Sequence, residues 1–526
     1  MPMDFPVHLQ KRIEICEEIS YNKVDFPQYL NENPGKERCM LFNSYIFIFL
    51  FFPLALIGYY GFHRAGRHKT ALAFLTGMSF WFYGYDNIGY LLILLISILI
   101  NYSISILLKK AAAKGVRLLF LWLGIVFNIG ILFYFKYYDF FIENINFLWQ
   151  ASFPPLGLLL PLGISFYTFQ QLSYVIDSYR GECKGYRFLE YAAYVSFFPQ
   201  LIAGPIVYHS ELIPQFRDPQ NQKPNYENLS RGIYAFALGL AKKVLLADTF
   251  SKIVSVGYGN ITSLNTPSAF LVMVCYSLQI YFDFSGYCDM AYGMGYMLNI
   301  KLPINFNSPY KAQSIGGFWD RWHMTLTRFF TRYVYIPLGG NRRGKARTCL
   351  NVFVVFLVSG LWHGANWTFI LWGAIHGALS VLERLTRITE LKIPKFVKTG
   401  VTFLLATFAW SLFRANSTSD ALALWDQLFH GGFGAVYPPI TEKCQDLIEV
   451  SFLYRAGLGS VISSFPWLPP VFFALASLAG CFFLKNTQEK TNSLKLTNQK
   501  LMAVVLLMLW SIMSLSEISE FLYFNF

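Results

Sequence analysis

The sequence predicts an all-α protein of the polytopic membrane type, and three observations predict it. Apolar residues make up 55% of the 526 positions and charged residues only 14%, against roughly 25% charged in an ordinary soluble domain. Mean hydropathy is +0.40, more apolar surface than a soluble chain of this length can hide. The apolar residues also fall in separate stretches, near 41–61, 70–85, 88–108, 118–138, 156–179, 232–256, 268–285, 349–372, 398–413, 468–484 and 500–516. At about 20 residues per helical crossing these give roughly ten to twelve spans, with short or re-entrant helices around a central tunnel or funnel.

Residues 1–39 stand apart in kind. They carry five Lys/Arg (Lys11, Arg12, Lys23, Lys36, Arg38) and seven acids (Asp4, Glu14, Glu17, Glu18, Asp25, Glu32, Glu37) and no apolar run, so they lack the basic start and apolar core of a secretory signal. The expectation is a polar N-terminal extension, with Met40 as the initiator; an intact mass that includes residues 1–39 rules this out. Residues 40–526 then form one membrane-embedded domain, with the histidine motifs in 311–386.

Several of the apolar stretches are broken. The segment Phe197–Ile206, FFPQLIAGPI, holds Pro199, Gly204 and Pro205 within seven residues. That pattern suits a half-length or re-entrant element, which survives at membrane depth only where protein or a wet cavity satisfies its backbone.

The formal net charge of +13 raises the question of nucleic acid, and its distribution answers it. The positive charge is concentrated in short loops: Arg64, Arg67 and Lys69; Lys109, Lys110, Lys114 and Arg117; Arg180, Lys184 and Arg187; Arg342, Arg343, Lys345 and Arg347. Alternate loops carry Asp86, Asp139 and Glu143. By the positive-inside rule the basic loops face the cytoplasm, so the charge is an orientation signal and no nucleic-acid partner is expected.

The eight cysteines (Cys16, Cys39, Cys183, Cys275, Cys288, Cys349, Cys444, Cys481) show no C-x-x-C spacing, which excludes a recognisable disulfide framework or zinc motif. Gly293 and Gly295 lack the third glycine and strand-helix context of a dinucleotide loop, and Gly163–Tyr167 lacks the last glycine of a nucleophile elbow. No metal site is expected.

The candidates for chemistry are His323, in GFWDRWHMTLTRFF, and His363, in SGLWHG. Ionisable side chains in apolar surroundings are costly in a membrane unless paired or used. Neutral imidazole, with a reference pKa near 6.5, is suited to take a proton from a hydroxyl, and burial keeps it neutral. Helical spacing puts Asp320 three residues from His323 on one side, where its carboxylate would hold the ring in one tautomer; the alternative is a polar pair that pins a helix. His376 lies 13 residues after His363, about 220° around a single helix, and is read as structural, as is His209 after the broken element. Asp283 and Asp289 are expected to pair with Lys or Arg inside the bundle. Arg321, Arg328 and Arg332 either hold phosphates or snorkel to headgroups.

These motifs, with LPLGISFYTFQQLSYVIDSYRGE, FFPQLIAGPI and YFDFSGYCDMA in order along the chain, carry a resemblance. From about Met40 to the C-terminal FLYFNF the sequence resembles the membrane-bound O-acyltransferase superfamily, within it the alginate O-acetyltransferase branch of bacteria. The resemblance implies transfer of an acyl group, acetyl above all, from a cytosolic thioester toward hydroxyls of an exported polysaccharide, in the bacterial cytoplasmic (inner) membrane. It implies catalysis at His363, with His323 in binding or positioning and Trp319, Asp320 and Asn366 in support. It further implies acetyl-CoA as donor, with no tightly bound cofactor and with an acyl carrier protein as the other donor class. Arg321, Arg328, Arg332, Arg342 and Arg343 would meet that donor, and an exported acyltransferase of SGNH-hydrolase type would complete delivery. The reading from a different class is a transporter, flippase or scaffold without turnover, since broken helices and buried ionisable groups also mark transport pathways; no inverted repeat is apparent.

Overall fold

The computed structural model describes residues 40–183, 185–515 and 521–522. The proposed N-terminal extension lies outside the described residues, so its boundary is untouched by the fold. Among the described residues the regular structure is helical throughout. Six helices are long and apolar enough to cross a membrane: Phe47–Arg64, Ile88–Lys110, Lys114–Trp149, Thr266–Met297, Gly344–His363 and Lys395–Arg414. A seventh crossing is made if Ile448–Ser464 and Leu468–Phe483, bent by 106°, are one broken span. Some of the other apolar stretches form shorter helices, such as His68–Gly84 and Asn498–Met513, too short at 1.5 Å per residue to cover about 30 Å of hydrocarbon upright, whereas 232–256 lies in a longer continuous helical run that carries Lys242, Lys243, Asp248 and Lys252.

Seven helices position the site: α1 (Lys114–Leu132), α2 (Thr266–Met297), α3 (Ile315–Trp319), α4 (Met324–Phe330), α5 (Gly344–His363), α6 (Trp367–Thr386) and α7 (Lys395–Arg414). Of these, α2 is the hub. Of its most apolar 18-residue window 94% is buried, whereas the corresponding share of the long span begun by α1 is 17%. The outer helix gives its apolar side chains to lipid; α2 gives nearly all of its own to protein. Asp283 and Asp289 on α2 meet Lys243 at 2.7 Å and Lys242 at 2.6 Å, the pairing expected for carboxylates at that depth.

The α5–α6 hairpin is set by small residues. A Cβ on Gly360 would stand 2.3 Å from the Phe369 carbonyl oxygen, and one on Gly373 would stand 2.4 Å from that of Phe356. The two backbones therefore touch where these glycines cross. The broken element Phe197–Ile206 becomes a short helix, Phe198–Leu201, followed by buried irregular chain. Its free backbone groups are met by protein: Thr325 Oγ1 accepts from the Ile206 N–H at 3.0 Å, and Arg328 donates to the Ile206 carbonyl at 3.1 Å. Half-length chain is thus packed directly against α4.

Candidate functional site

The chain between Trp319 and Met324 does not stay helical. His323 has φ 44° and ψ 50°, the left-handed region that a side chain other than glycine seldom occupies and that costs about 1–3 kcal/mol. The turn is held by Asn305, whose carbonyl accepts from the Met324 N–H at 3.0 Å. The Asn305 side-chain oxygen accepts from the Thr325 N–H at 3.2 Å and the Thr325 hydroxyl at 2.9 Å. His323 Nδ1 lies 3.1 Å from that same oxygen. Because the Thr325 N–H can only donate, the shared Asn305 atom is an acceptor, so Nδ1 carries the ring proton and Nε2 the lone pair. His323 is fully buried, and burial holds its pKa down at about 3. It is a neutral imidazole with one tautomer fixed.

Asp320 is therefore not the orienting partner. It caps the end of α3 and is exposed on the wall of a hollow, because the helix that would have stacked it beside His323 is interrupted. Asn305, 18 residues upstream in an irregular segment, takes that role. No sequence pattern marks it; only its proximity in the fold does.

His363 ends α5 and is buried beside His323. Its ring centroid is 6.4 Å from that of His323, with Trp362, Trp372 and Phe413 at 4.9–5.1 Å. Phe284 and Phe166 cover His323 at 4.8 and 6.3 Å. The two motif histidines, 40 residues apart in sequence, thus share one aromatic enclosure. Lys136 reaches in from the long outer span, its Nζ donating to the carbonyls of Trp362 at 2.7 Å and His363 at 3.0 Å. A donor at a helix C-terminus answers the unpaired carbonyls there. Sequence reasoning did not single it out; an ionisable residue alone in the apolar stretch 118–138 is the signal that could have found it.

The supporting residues divide. Trp319 is buried and donates from Nε1 to His376 Nδ1 at 3.2 Å; His376 in turn packs on Trp372 at 5.0 Å, beside His363. The two histidines His363 and His376 do not share one helix, since the chain reverses at Gly364–Asn366, so the 220° rotation does not apply. Asn366 is the N-cap of α6, accepting from the Thr368 N–H at 3.0 Å, and acts on the helix start. His209 is buried between Asp177 at 3.2 Å and the Tyr186 hydroxyl at 3.2 Å, a structural tie.

The basic residues divide as well. Arg328 forms a two-pronged pair with Glu211 at 2.5 and 2.9 Å. Arg332 bridges Asp177, at 3.2 Å, and Glu182, and Arg321 donates to the Asn307 carbonyl at 3.2 Å. Arg328 and Arg332 are thereby paired with carboxylates, and both also line a hollow beside α4. Arg342 and Arg343 are exposed in the loop before α5.

Two hollows of about 280 and 710 Å³ flank α4 and share Trp319, Asp320, Thr327 and Thr331 on their walls. Ser359, one turn before His363, lines the first, and Thr325, two residues after His323, the second. Together they bring open space up to the neighbours of both imidazoles. The arrangement places two buried imidazoles side by side among aromatic rings, which is equipment for moving a proton.

The MBOAT, membrane-bound O-acyltransferase family profile matches residues 78–418, and the chain belongs to that family: it is a multi-pass membrane acyltransferase. It is 39% identical over 520 residues to a peptidoglycan O-acetyltransferase of Helicobacter pylori, covering 93% of this chain and 98% of the relative. It is 37% identical over 403 residues to a Pseudomonas aeruginosa protein named Probable alginate O-acetylase AlgI, covering 75% of each. Similarity at 29% identity extends to a teichoic acid D-alanyltransferase of Bacillus subtilis, over 44% of this chain and 60% of that one.

Proposed function

We propose that this enzyme moves an acetyl group from a cytosolic thioester, acetyl-CoA, toward hydroxyls of a cell-envelope polysaccharide, from a place in the bacterial cytoplasmic membrane. The names of its relatives, which act on peptidoglycan and alginate, support the polymer class. The near-full-length match to a peptidoglycan O-acetyltransferase favours peptidoglycan over a secreted polysaccharide. The observation that carries the reading is the pair of buried imidazoles 6.4 Å apart, with hollows leading to their neighbours from the α4 side.

In this reading His363 takes the proton of the attacking hydroxyl as its oxygen bonds to the thioester carbon. The C–S bond breaks, and the thiolate leaves with that proton. His323, its Nδ1 proton fixed on Asn305, presents Nε2 to the same space and positions the acyl group or the hydroxyl. Trp319 and His376 brace the wall behind. The exposed Arg342 and Arg343 attract the donor's phosphates from the cytoplasm, and the same loop would serve an acyl carrier protein. An exported acyltransferase receives the acetyl group where the polymer itself cannot reach the chamber.

The test is the acetyl-ester content of purified peptidoglycan and of secreted polysaccharide, released by mild base, from cells with the gene, without it, and with His363→Ala. Esters that vanish from peptidoglycan in both altered strains are expected. Unchanged esters in both polymers from cells lacking the gene overturn the proposal.

A further inference from the structure

A groove of about 480 Å³ lies away from the histidine chamber, between the segment around Leu238–Leu246, the helix Leu468–Phe483 and the helix Asn498–Met513. Its volume is in the range of pockets that hold small ligands. Its walls are apolar, with Leu245, Leu246, Phe473 and Trp510 among them. Phe472 and Trp510 are 61% and 46% exposed, so the groove opens sideways where hydrocarbon lies. One part of its lining is different: Lys242, Lys485 and Lys490 are gathered there with Asn486 and Thr487.

The charges at that end do not cancel. Lys242 is spent on Asp289 at 2.6 Å, and the one acid among the described lining residues is Glu449. Lys485 is exposed and Lys490 half-buried, and among the described residues neither forms an ion pair. Burial, and after it the neighbouring Lys242 ammonium, hold Lys490 below its ordinary pKa in spite of Asp289, which pulls the other way, a condition an added anion relieves. The connecting run holds Lys485, Lys490, Lys495 and Lys500 against the single acid Glu489, which places it at the cytoplasmic face. Apolar walls open to the bilayer and an uncompensated ammonium cluster at headgroup level are the two halves of a lipid with a negative headgroup.

We infer that this groove binds an anionic glycerophospholipid of the cytoplasmic leaflet, one acyl chain along Leu245, Phe473 and Trp510 and its phosphate between Lys485 and Lys490. The site is separate from the acyl-transfer chamber, and its occupancy does not depend on the donor or acceptor proposed above.

The experiment uses the purified full-length protein, delipidated in a neutral detergent and titrated with dioleoylphosphatidylglycerol or dioleoylphosphatidylcholine, with bound lipid counted by native mass spectrometry. Phosphatidylglycerol is expected to bind more tightly. The double variant Lys485→Gln/Lys490→Gln should weaken it by at least about tenfold, at about fivefold per lysine, and leave phosphatidylcholine unchanged. Ala476→Phe, an exposed position on the groove wall, should weaken both by filling the chain's path. Equal binding of the two lipids, or phosphatidylglycerol binding that survives either variant, overturns the inference. So does glycerol 3-phosphate competing as well as the whole lipid, which would make this a site for a soluble anion.

Discussion

At the scale of single residues, the site turns on what holds an imidazole in one tautomer. Asn305 does so for His323, and the same oxygen serves Thr325. Asn305→Ala removes an acceptor from three buried donors, each worth about 1–3 kcal/mol when left unmet, so turnover should fall by one to two orders of magnitude. Asp320→Asn should leave turnover within about threefold, since that carboxylate is exposed; a larger loss than for Asn305→Ala would restore Asp320 as the orienting group. Asn305→Asp has a signed pH consequence. With its pKa near 3, the native His323 stays neutral from pH 5 to 8 and adds no acid limb to activity. A carboxylate against Nδ1 favours the imidazolium and raises that pKa, so the variant should lose turnover as pH falls from 8 to 5. A profile parallel to the native one would contradict the assignment. Both motif histidines were legible in the sequence because ionisable residues in apolar runs stand out. Asn305 was not, because its partners are 18 and 20 positions away and an asparagine in a loop is ordinary.

Elements decide where those residues stand. The sequence-based expectation of continuous helix through Trp319–His323 fails because no Gly or Pro at the break itself announces it; the turn is imposed by Asn305 from outside. The α5–α6 reversal, by contrast, is written locally in Gly360, Gly364 and Gly373. Gly373→Val would drive a side chain into the Phe356 carbonyl, 2.4 Å from where its Cβ must stand; at about 1–3 kcal/mol of overpacking, the folded yield in detergent should drop. Lys136 ties the outer span to the end of α5 through the Trp362 and His363 carbonyls. A buried carbonyl left without its donor costs about 1–3 kcal/mol. Lys136→Met is expected to lower kcat by at least tenfold with the donor KM nearly unchanged, and Lys136→Arg to recover most of it. Full kcat in Lys136→Met would show that α5 needs no such tie.

For the whole molecule the question is direction, since donor and acceptor are proposed to arrive from opposite sides. The expected orientation rests on the basic loops alone. The division of labour among the arginines needed the structure, because Glu211, Asp177 and Glu182 come to Arg328 and Arg332 from distant segments. The proposed donor entrance is the exposed cluster Arg342, Arg343, Lys345 and Arg347. Changing all four to Gln should raise the donor KM more than it lowers kcat, and the defect should shrink at high salt, where attraction over distance is screened. Lys345→Cys, with the native cysteines replaced, should resist an impermeant thiol reagent in intact cells and react in inverted vesicles. Labelling from outside would overturn the topology and the donor entrance together.

The most direct test of the account is single-residue removal of the base. Purified His363→Ala, matched to the native protein in folded yield, should release thiol from acetyl-CoA in the presence of acceptor about 10²- to 10⁴-fold more slowly, the usual worth of one proton-transfer group. A rate within a few-fold of the native enzyme would contradict the placement of the chemistry at His363.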